Sequence, residues 1–267
     1  MKLLLVLLVL ACRELIAAEW RDVLTKPARA WRDAMLESAL TRQLSSGLLL
    51  VLIAGVPAAL TAALLALTTD VGVAWQYVLA LIVAVPVFSD RVLPPVLVHY
   101  RQQWLEQDII DKAQDQLLPA RRQLLTAYLQ ELVSPLFWLL LLGSWGVVVL
   151  VVYYYLRLCA RLSHDLLLAE QAGRWQALLD WLPSRVLALS FALAGRFVET
   201  WVYWQGNISN TAIPAAEFID AAAAQAEHLD NYPVEPMALV TTLAAYEALC
   251  YRSIMIWLIL LSLHMIF

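Results

Sequence analysis

Long uncharged apolar runs alternate along this chain with amphipathic connections. Residues 47–69 and 135–156 are the clearest runs, and neither contains a charged side chain. A helix rises about 1.5 Å per residue, so each run is long enough to cross roughly 30 Å of bilayer hydrocarbon. A soluble fold of this length could not bury two helices that are apolar on every side. The pattern therefore predicts an all-α, polytopic helical membrane protein.

Five or six membrane-associated helices are expected within one integral membrane domain covering residues 1–267. The first helix is expected to stay uncleaved, because Arg13 and Glu14 interrupt an apolar core that is short for a signal peptide. Pro57 is tolerable inside a span if another helix satisfies the carbonyl that it frees. The predicted spans are approximately residues 1–18, 47–69, 73–88, 135–156, 182–196 and 249–267.

The connections carry most of the basic residues. Residues 19–46 and 89–133 contain five each, which places both on the cytoplasmic side and the amino terminus outside. The first connection has tryptophans and arginines at helical spacing, as in a helix that lies on the membrane surface. In the second, Pro119 is expected to end one helix before another begins near Ala120.

Several local signals mark helix breaks and starts. Gly143 and Gly146 predict an interruption in the run 135–156, which suits either a functional site or a close helix contact. Asp180 is expected to cap a helix that contains Pro183 in its first turn and Arg185 one turn later. A short helix is predicted over 214–229 with Glu217, Asp220 and Glu227 exposed, followed by a long helix opening at Pro236.

The composition excludes several kinds of chemistry. The formal net charge is −4 and no basic cluster follows a phosphate backbone, so no nucleic-acid partner is expected. The cysteine and histidine spacings match neither a zinc site nor a redox motif, and glycine-rich nucleotide loops are absent, so no metal or cofactor is predicted. Asp108, Asp111 and Asp115 share a helical face that could hold Mg²⁺, although a solvated face explains them more readily.

Three blocks resemble the AmpE family of inner-membrane proteins: residues 134–138 (SPLFW), 143–146 (GSWG) and 180–185 (DWLPSR). The segment LLVLACREL near the amino terminus and residues 98–100 (VHY) are also similar to that family. The resemblance implies a multi-pass inner-membrane signalling modulator of β-lactamase induction. It also implies an association with an amidase that recycles cell-wall muropeptides. The binding residues that it implies are Asp180, Pro183, Arg185, His99, Tyr100, Pro135, Trp138 and Trp145.

AmpE proteins are related to the CobD/CbiB cobinamide-phosphate synthases, which gives an enzymatic alternative, namely amide formation in cobalamin assembly. Those synthases carry an Asn-Thr-Leu-Asp stretch where this chain has residues 157–161 (RLCAR). A ligase must bind Mg-ATP, and the acidic group is missing here. We therefore expect a regulator without catalytic residues. Its expected partners are membrane lipid together with a muropeptide-recycling amidase or a small cell-wall ligand.

Overall fold

The computed structural model describes residues 2–16, 18–38, 44–69, 72–90, 98, 100, 102, 113–162, 165–227 and 236–266. These residues are helical or lie in short turns between helices, and none of them lies in a strand. The predicted all-α class is therefore confirmed. His99, Asp108 and Asp111 lie outside the described residues.

The helices are numbered here in chain order. The amino-terminal group is α1 Lys2–Leu15, α2 Ala18–Glu37, α3 Ser46–Leu67 and α4 Val73–Ser89. A continuous helical stretch follows, made of α5 Ala113–Tyr128, a π-helical segment Leu129–Val133, α6 Ser134–Leu142, a 3₁₀ turn Gly143–Trp145 and α7 Gly146–Ala160. The remainder is α8 Leu166–Ala194, α9 Phe197–Asn207, α10 Ala215–Glu227 and α11 Pro236–Ile266.

Four stretches of the described chain are long and apolar enough to cross a membrane. They are Ser46–Leu67, Leu117–Ala160, Leu166–Ala194 and Leu239–Leu260, and Ala74–Ser89 is a shorter apolar helix. These helices agree with the predicted polytopic membrane protein. The number of spans and their sides of the membrane stay predictions.

Contacts divide the chain into two compact units. The first unit comprises Met1–Asp90 and Pro135–Leu179, and the second comprises Arg91–Ser134 and Asp180–Phe267. Within the first unit, α3 packs extensively along α7, while α4 packs against α1, α2 and α7. Apolar side chains such as Ile53, Val147 and Leu150 are fully buried between these helices.

Pro57 in α3 illustrates how a proline is accommodated inside an apolar helix. Proline has no N–H, so the carbonyl of Ile53, four residues earlier, loses its helical partner. The indole Nε1 of Trp31, in α2, donates to that carbonyl over 3.2 Å. The expectation that a neighbouring helix satisfies the freed carbonyl is confirmed.

The predicted glycine interruption is also confirmed. A straight helix of 44 residues, the length of Leu117–Ala160, would extend about 66 Å, roughly twice the thickness of the hydrocarbon core. The chain breaks instead at Gly143, whose φ of 63° is a left-handed conformation that favours glycine. At Gly146 a Cβ would lie 2.5 Å from the carbonyl oxygen of Trp138, so only hydrogen fits there. The interruption therefore requires both glycines, each for a different reason.

In the second unit, α5 packs against α10 and α11, and α9 packs against α10. Leu124, Phe218 and Leu243 contribute buried side chains to this core. The expectation that Pro119 ends a helix is wrong, because α5 continues through it from Ala113 to Tyr128. Proline removes one backbone hydrogen bond, and the apolar face that follows it, including Leu124 and Leu125, is buried and holds the helix together.

Candidate functional site

Asp180, Pro183 and Arg185 all lie within α8, Leu166–Ala194. The predicted helix start at Asp180 is therefore wrong. The cap is Asp165, whose Oδ1 accepts a hydrogen bond from the backbone N–H of Leu168 over 3.0 Å. An N-cap carboxylate bonded to the third helical N–H is the usual capping geometry. Asp180 and Pro183 consequently lie in the helix interior, where Asp180 has to be satisfied by another element.

Asp180 is satisfied by a side chain from the first residue of α6. Only 2% of its surface is exposed, and its Oδ1 accepts a 2.5 Å hydrogen bond from the hydroxyl of Ser134, which is fully buried. Ser134 directly follows the π-helical segment, and its backbone N–H donates to the carbonyl of Leu129, five residues earlier. Single π-helical turns are often found at functional sites. A buried carboxylate inside an apolar helix is costly unless it is hydrogen-bonded in this way.

Arg185 is buried to 2% exposure and is held by neutral groups. Its Nη2 donates to the carbonyls of Asn210 and Ile213 over 3.0 and 3.2 Å, and its Nη1 donates to the Ser184 hydroxyl over 3.0 Å. The guanidinium carbon lies 4.7 Å from the ring centre of Trp181 and 4.2 Å from that of Phe218. Carbonyl dipoles and aromatic faces both stabilise a cation.

Within the described part of the chain, no carboxylate forms an ion pair with Arg185, and its buried Nε has no hydrogen-bond partner. Arg121 and Arg157, which are also buried in apolar helices, each pair with an aspartate. Arg185 thus differs from them in being a buried cation that connects α8 to the turn between α9 and α10. A charge at such a position is a candidate for function.

The remaining predicted binding residues lie in different places. Tyr100, in the second unit, donates from its hydroxyl to Oε1 of Gln123 over 2.8 Å. Pro135, Trp138 and Trp145 belong to the first unit. Pro135 is buried, Trp138 packs edge-on against Phe137 with ring centres 5.3 Å apart, and Trp145 is 45% exposed in the 3₁₀ turn. The predicted binding residues that the structure describes are therefore divided between the two units.

A second buried polar cluster was missed by the sequence reasoning. Asp220 in α10 is 4% exposed, which corrects the expectation that it faces solvent. Its Oδ1 accepts from Nε of Arg121 over 2.6 Å and its Oδ2 accepts from Nε of Arg122 over 3.1 Å. Arg121 also donates to the hydroxyl of Tyr246 over 3.2 Å and lies 5.2 Å from the centre of its ring.

A weak signal for this cluster exists in the sequence. Asp220 lies between Ile219 and the small residues Ala222 and Ala223, all of which are buried. A carboxylate surrounded by such residues on a short helix is a candidate for burial beside a basic partner. The adjacent pair Arg121 and Arg122 could have supplied that partner, but nothing in the helical spacing alone connects α5 to α10.

Tyr203 in α9 lies between the two clusters. Its ring is 5.5 Å from that of Phe218, the residue that also covers Arg185. Burial raises the pKa of Tyr203, the positive charge of Arg185 opposes that rise, and the carboxylates of Asp220 and Glu217 add to it. The phenol therefore stays protonated at neutral pH and available as a hydrogen-bond donor.

Taken together, the buried polar groups of the second unit offer arginines, aromatic faces and hydrogen-bonded carboxylates. Arginine and aromatic rings suit a ligand that carries an anionic or planar group. Among the residues that the structure describes, no group of three histidine, cysteine or acidic side chains could hold a metal ion.

Comparison with known families gives one match. Residues 108–231 match the family model described as Regulatory signalling modulator protein AmpE. The resemblance to AmpE read from the sequence is thereby confirmed over this segment, a little under half of the chain. The match gives no support to the amide-forming alternative. No match was found among the curated proteins or among the solved structures that were searched.

Proposed function

We propose that this protein is a regulatory signalling modulator of the bacterial inner membrane that influences β-lactamase induction and is linked to cell-wall recycling. The observation that carries the proposal is the AmpE family match over residues 108–231. The four helices that are long and apolar enough to cross a membrane support a membrane location. The arginine-rich connections next to them are typical of helices inserted into the cytoplasmic membrane.

The matched segment contains the polar groups that the apolar helices bury. Arg121, Asp180, Arg185 and Asp220 all lie inside residues 108–231, and each is at most 7% exposed. Keeping charged side chains in such surroundings is costly, and they commonly mark functional positions. Among them we assign binding roles to Asp180 and Arg185, since each connects α8 to another element of the second unit.

Arg185 is the residue through which a signal could act on the fold. Its guanidinium holds the carbonyls of Asn210 and Ile213, so it fixes the turn between α9 and α10. A partner amidase or a small cell-wall ligand that contacts this turn would change the position of Arg185 and therefore of α8. Arg185→Lys keeps the charge but loses the planar fork that reaches several acceptors at once. Arg185→Lys therefore separates the effect of the positive charge from the effect of the hydrogen bonds that the guanidinium makes.

The test is an induction assay in a strain lacking its own copy of this gene. The strain receives the wild-type gene, an empty vector, or the variants Arg185→Ala and Arg185→Lys, and β-lactamase activity is measured against inducer dose. Arg196→Ala is the matched control, because Arg196 lies in the same segment, its side chain is 43% exposed, and its ion-pair partner among the described residues is nearby Glu199. Immunoblots of membrane fractions keep the comparison at equal protein levels.

We expect the empty vector to shift the induction curve, Arg185→Ala to behave like the empty vector, and Arg185→Lys to lie between it and wild type. Arg196→Ala should match wild type. An unchanged curve with the empty vector would refute the proposed function. Full activity of Arg185→Ala would leave the function standing and refute the binding role of this residue.

A further inference from the structure

Charged side chains gather at the carboxyl end of α8. This helix is long and apolar enough to cross a membrane, and its last nine residues carry no charge. Beyond them, Arg196 pairs with Glu199. Arg252, from α11, pairs with Glu227 and donates from Nη1 to the carbonyl of Ala194 over 3.0 Å. Charged side chains of this kind are typical of the level at which a spanning helix leaves the hydrocarbon, so this end of α8 is expected at a membrane surface.

Helices α9 and α10 form a hairpin that starts and finishes at the end of α8. The backbone N–H of Arg196, just before α9, donates to the carbonyl of Ala226, in the last turn of α10, over 3.0 Å. A Cβ on Gly195 would lie 2.6 Å from that carbonyl oxygen, so the two ends of the hairpin are in direct contact. Between them, Nε1 of Trp204 donates to the carbonyl of Arg185 over 2.8 Å. Arg185 lies nine residues before the end of α8, about 13 Å along its axis, so α9 runs back beside α8.

The turn between α9 and α10, which is the tip of this hairpin, is held by hydrogen bonds within the protein. The carbonyls of Asn210 and Ile213 accept from Nη2 of Arg185. The N–H of Asn210 donates to the carbonyl of Asn207, and the N–H of Ala212 donates to Oδ1 of Asn210, both over 3.0 Å. Irregular backbone at membrane depth requires such partners, because lipid supplies none. In water the carbonyls would be solvated without a buried cation, so this use of Arg185 suits a turn inside a membrane.

The outward face of α9 is apolar. Val198 and Val202 are 67% and 65% exposed, and Phe197 is 47% exposed. The rings of Phe197 and Trp201 are stacked with 5.7 Å between their centres, and those of Trp201 and Trp204 with 5.1 Å. Helix α9 has 11 residues, or about 16 Å, so it is too short to cross the hydrocarbon. Because it runs back from a membrane surface beside a spanning helix, the expected occupant of this face is the acyl chains of one leaflet.

The tip of the hairpin has a different surface. Ser209, Asn210 and Thr211 are exposed, and so is Gln205 near the end of α9. Polar side chains are costly against acyl chains, whereas irregular segments at membrane depth are tolerated where they line a water-filled space. The tip is therefore expected to face water on its outer side, while Arg185 holds it from within the protein.

We propose that α9 and α10 form a hairpin that enters one leaflet and returns to the same membrane surface. Phe197, Val198 and Val202 contact acyl chains, and the tip, held by Arg185, faces water within that leaflet. The two ends of the hairpin consequently lie on the same side of the membrane. This arrangement does not depend on the proposed signalling role, so either can fail without the other.

The first experiment measures the depth of α9 in the full chain, reconstituted into phosphatidylcholine vesicles. Val202→Cys, Ser209→Cys and Met255→Cys are made one at a time in a background whose three native cysteines are replaced by alanine, and each carries a nitroxide label. Met255, which is 57% exposed in α11, is the control for a side chain that faces lipid. Electron paramagnetic resonance gives the collision rates with oxygen, which concentrates in acyl chains, and with a water-soluble nickel chelate. Far-UV circular dichroism checks that each variant keeps its helix content.

We expect the ratio of the oxygen to the nickel collision rate at Val202→Cys to match that at Met255→Cys, and the ratio at Ser209→Cys to be lower. A ratio at Val202→Cys in which nickel collisions dominate would overturn the proposal, because α9 would then lie in water. A ratio at Ser209→Cys as high as that at Met255→Cys would also overturn it, since the tip would then be in lipid.

The second experiment tests whether the hairpin returns to its starting side. Arg196→Cys and Gln225→Cys mark its two ends, where both native side chains are exposed. Each variant is treated with a membrane-impermeant maleimide in right-side-out and in inverted membrane vesicles. Reaction of both cysteines from the same side supports the hairpin. Reaction from opposite sides would refute it, because the segment between them would then cross the membrane.

Discussion

Removing the carboxylate of Asp220 tests the buried ion pair of the second unit. Asp220→Asn leaves Arg121, which is 7% exposed, without its ionic partner. Breaking a buried pair in this way typically costs about 3–5 kcal/mol, because an uncompensated charge stays in the interior. We expect a loss in the free energy of unfolding near that range, since the 2.6 Å contact and the 4% exposure of Asp220 leave little room for water.

The partner substitutions should rank in a defined order. Arg121→Met leaves Asp220 with Arg122 at 3.1 Å, so it should cost less than Asp220→Asn. Arg122→Met should cost no more than about 1 kcal/mol, because its side chain is 45% exposed and solvent screens the pair. Replacing both buried partners, as in Arg121→Met with Asp220→Leu, should recover much of the stability, since no unpaired charge remains in the interior and Arg122, with its side chain 45% exposed, stays solvated.

The assay is reversible unfolding of the detergent-solubilised chain by sodium dodecyl sulfate, followed by tryptophan fluorescence and far-UV circular dichroism. Glu217→Gln, on the exposed side of the same helix, serves as the control. The reasoning is refuted if Asp220→Asn costs no more than Arg122→Met. It is also refuted if the double replacement is as unstable as Asp220→Asn, because the loss would then not come from an unpaired charge.

Three further predictions concern the first unit. Trp31→Phe should lower the unfolding free energy by about 1 kcal/mol, because it removes the donor to the Ile53 carbonyl. In a Pro57→Ala background the backbone N–H of residue 57 can bond that carbonyl, so the same substitution should no longer cost this hydrogen bond. Gly146→Ala should lower the yield of folded protein far more than Gly55→Ala, whose added methyl meets only Val51 Cγ1 at 3.8 Å, and equal yields would contradict the close approach at Trp138. Burial alone would raise the pKa of Asp90, but Arg157, Arg161 and Arg29 outweigh it and the pKa lies below the ordinary 3.8. The contribution of the Asp90 carboxylate to the stability of the fold is therefore complete when the pH is above 3.8, and it is lost as the pH falls through the lower pKa of the folded state. Asp90→Asn should be less stable than wild type at neutral pH, and this difference in unfolding free energy should vanish in acid.

Much of the fold could be predicted because membrane helices are specified locally. The two uncharged apolar runs, 47–69 and 135–156, predicted the helix Ser46–Leu67 and the helical stretch that ends at Ala160. Gly143 and Gly146 predicted the break between α6 and α7. Because Pro57 has no backbone N–H, the sequence also predicted that another helix would satisfy the carbonyl it frees. The resemblance to AmpE was readable from short blocks that include residues 134–138 and 180–185, both inside the matched segment.

The candidate site could be predicted only in part. Asp180 and Arg185 were singled out, yet their partners, the Ser134 hydroxyl and the Asn210 and Ile213 carbonyls, lie 46, 25 and 28 residues away along the chain. No periodicity within one helix indicates which residue of another helix it will meet. Trp138 and Trp145 were grouped with them because their blocks looked familiar, whereas the structure assigns those tryptophans to the other unit.

What the sequence by itself determined is the apolar helices over residues 47–69 and 135–156, the accommodation of Pro57 and the break at Gly143 and Gly146, because these depend on side-chain transfer into lipid and on backbone chemistry within one turn. Only the tertiary structure decided which charges are buried. Asp165 and Asp180 are both residues that can cap a helix. In the structure Asp165 is the cap, and the helix that it begins buries Leu168 and Ala172 and continues through Asp180. Asp220 looks solvated on its own helix and becomes buried because α5 brings Arg121 against it, so the free energy of its burial depends on a contact 99 residues away.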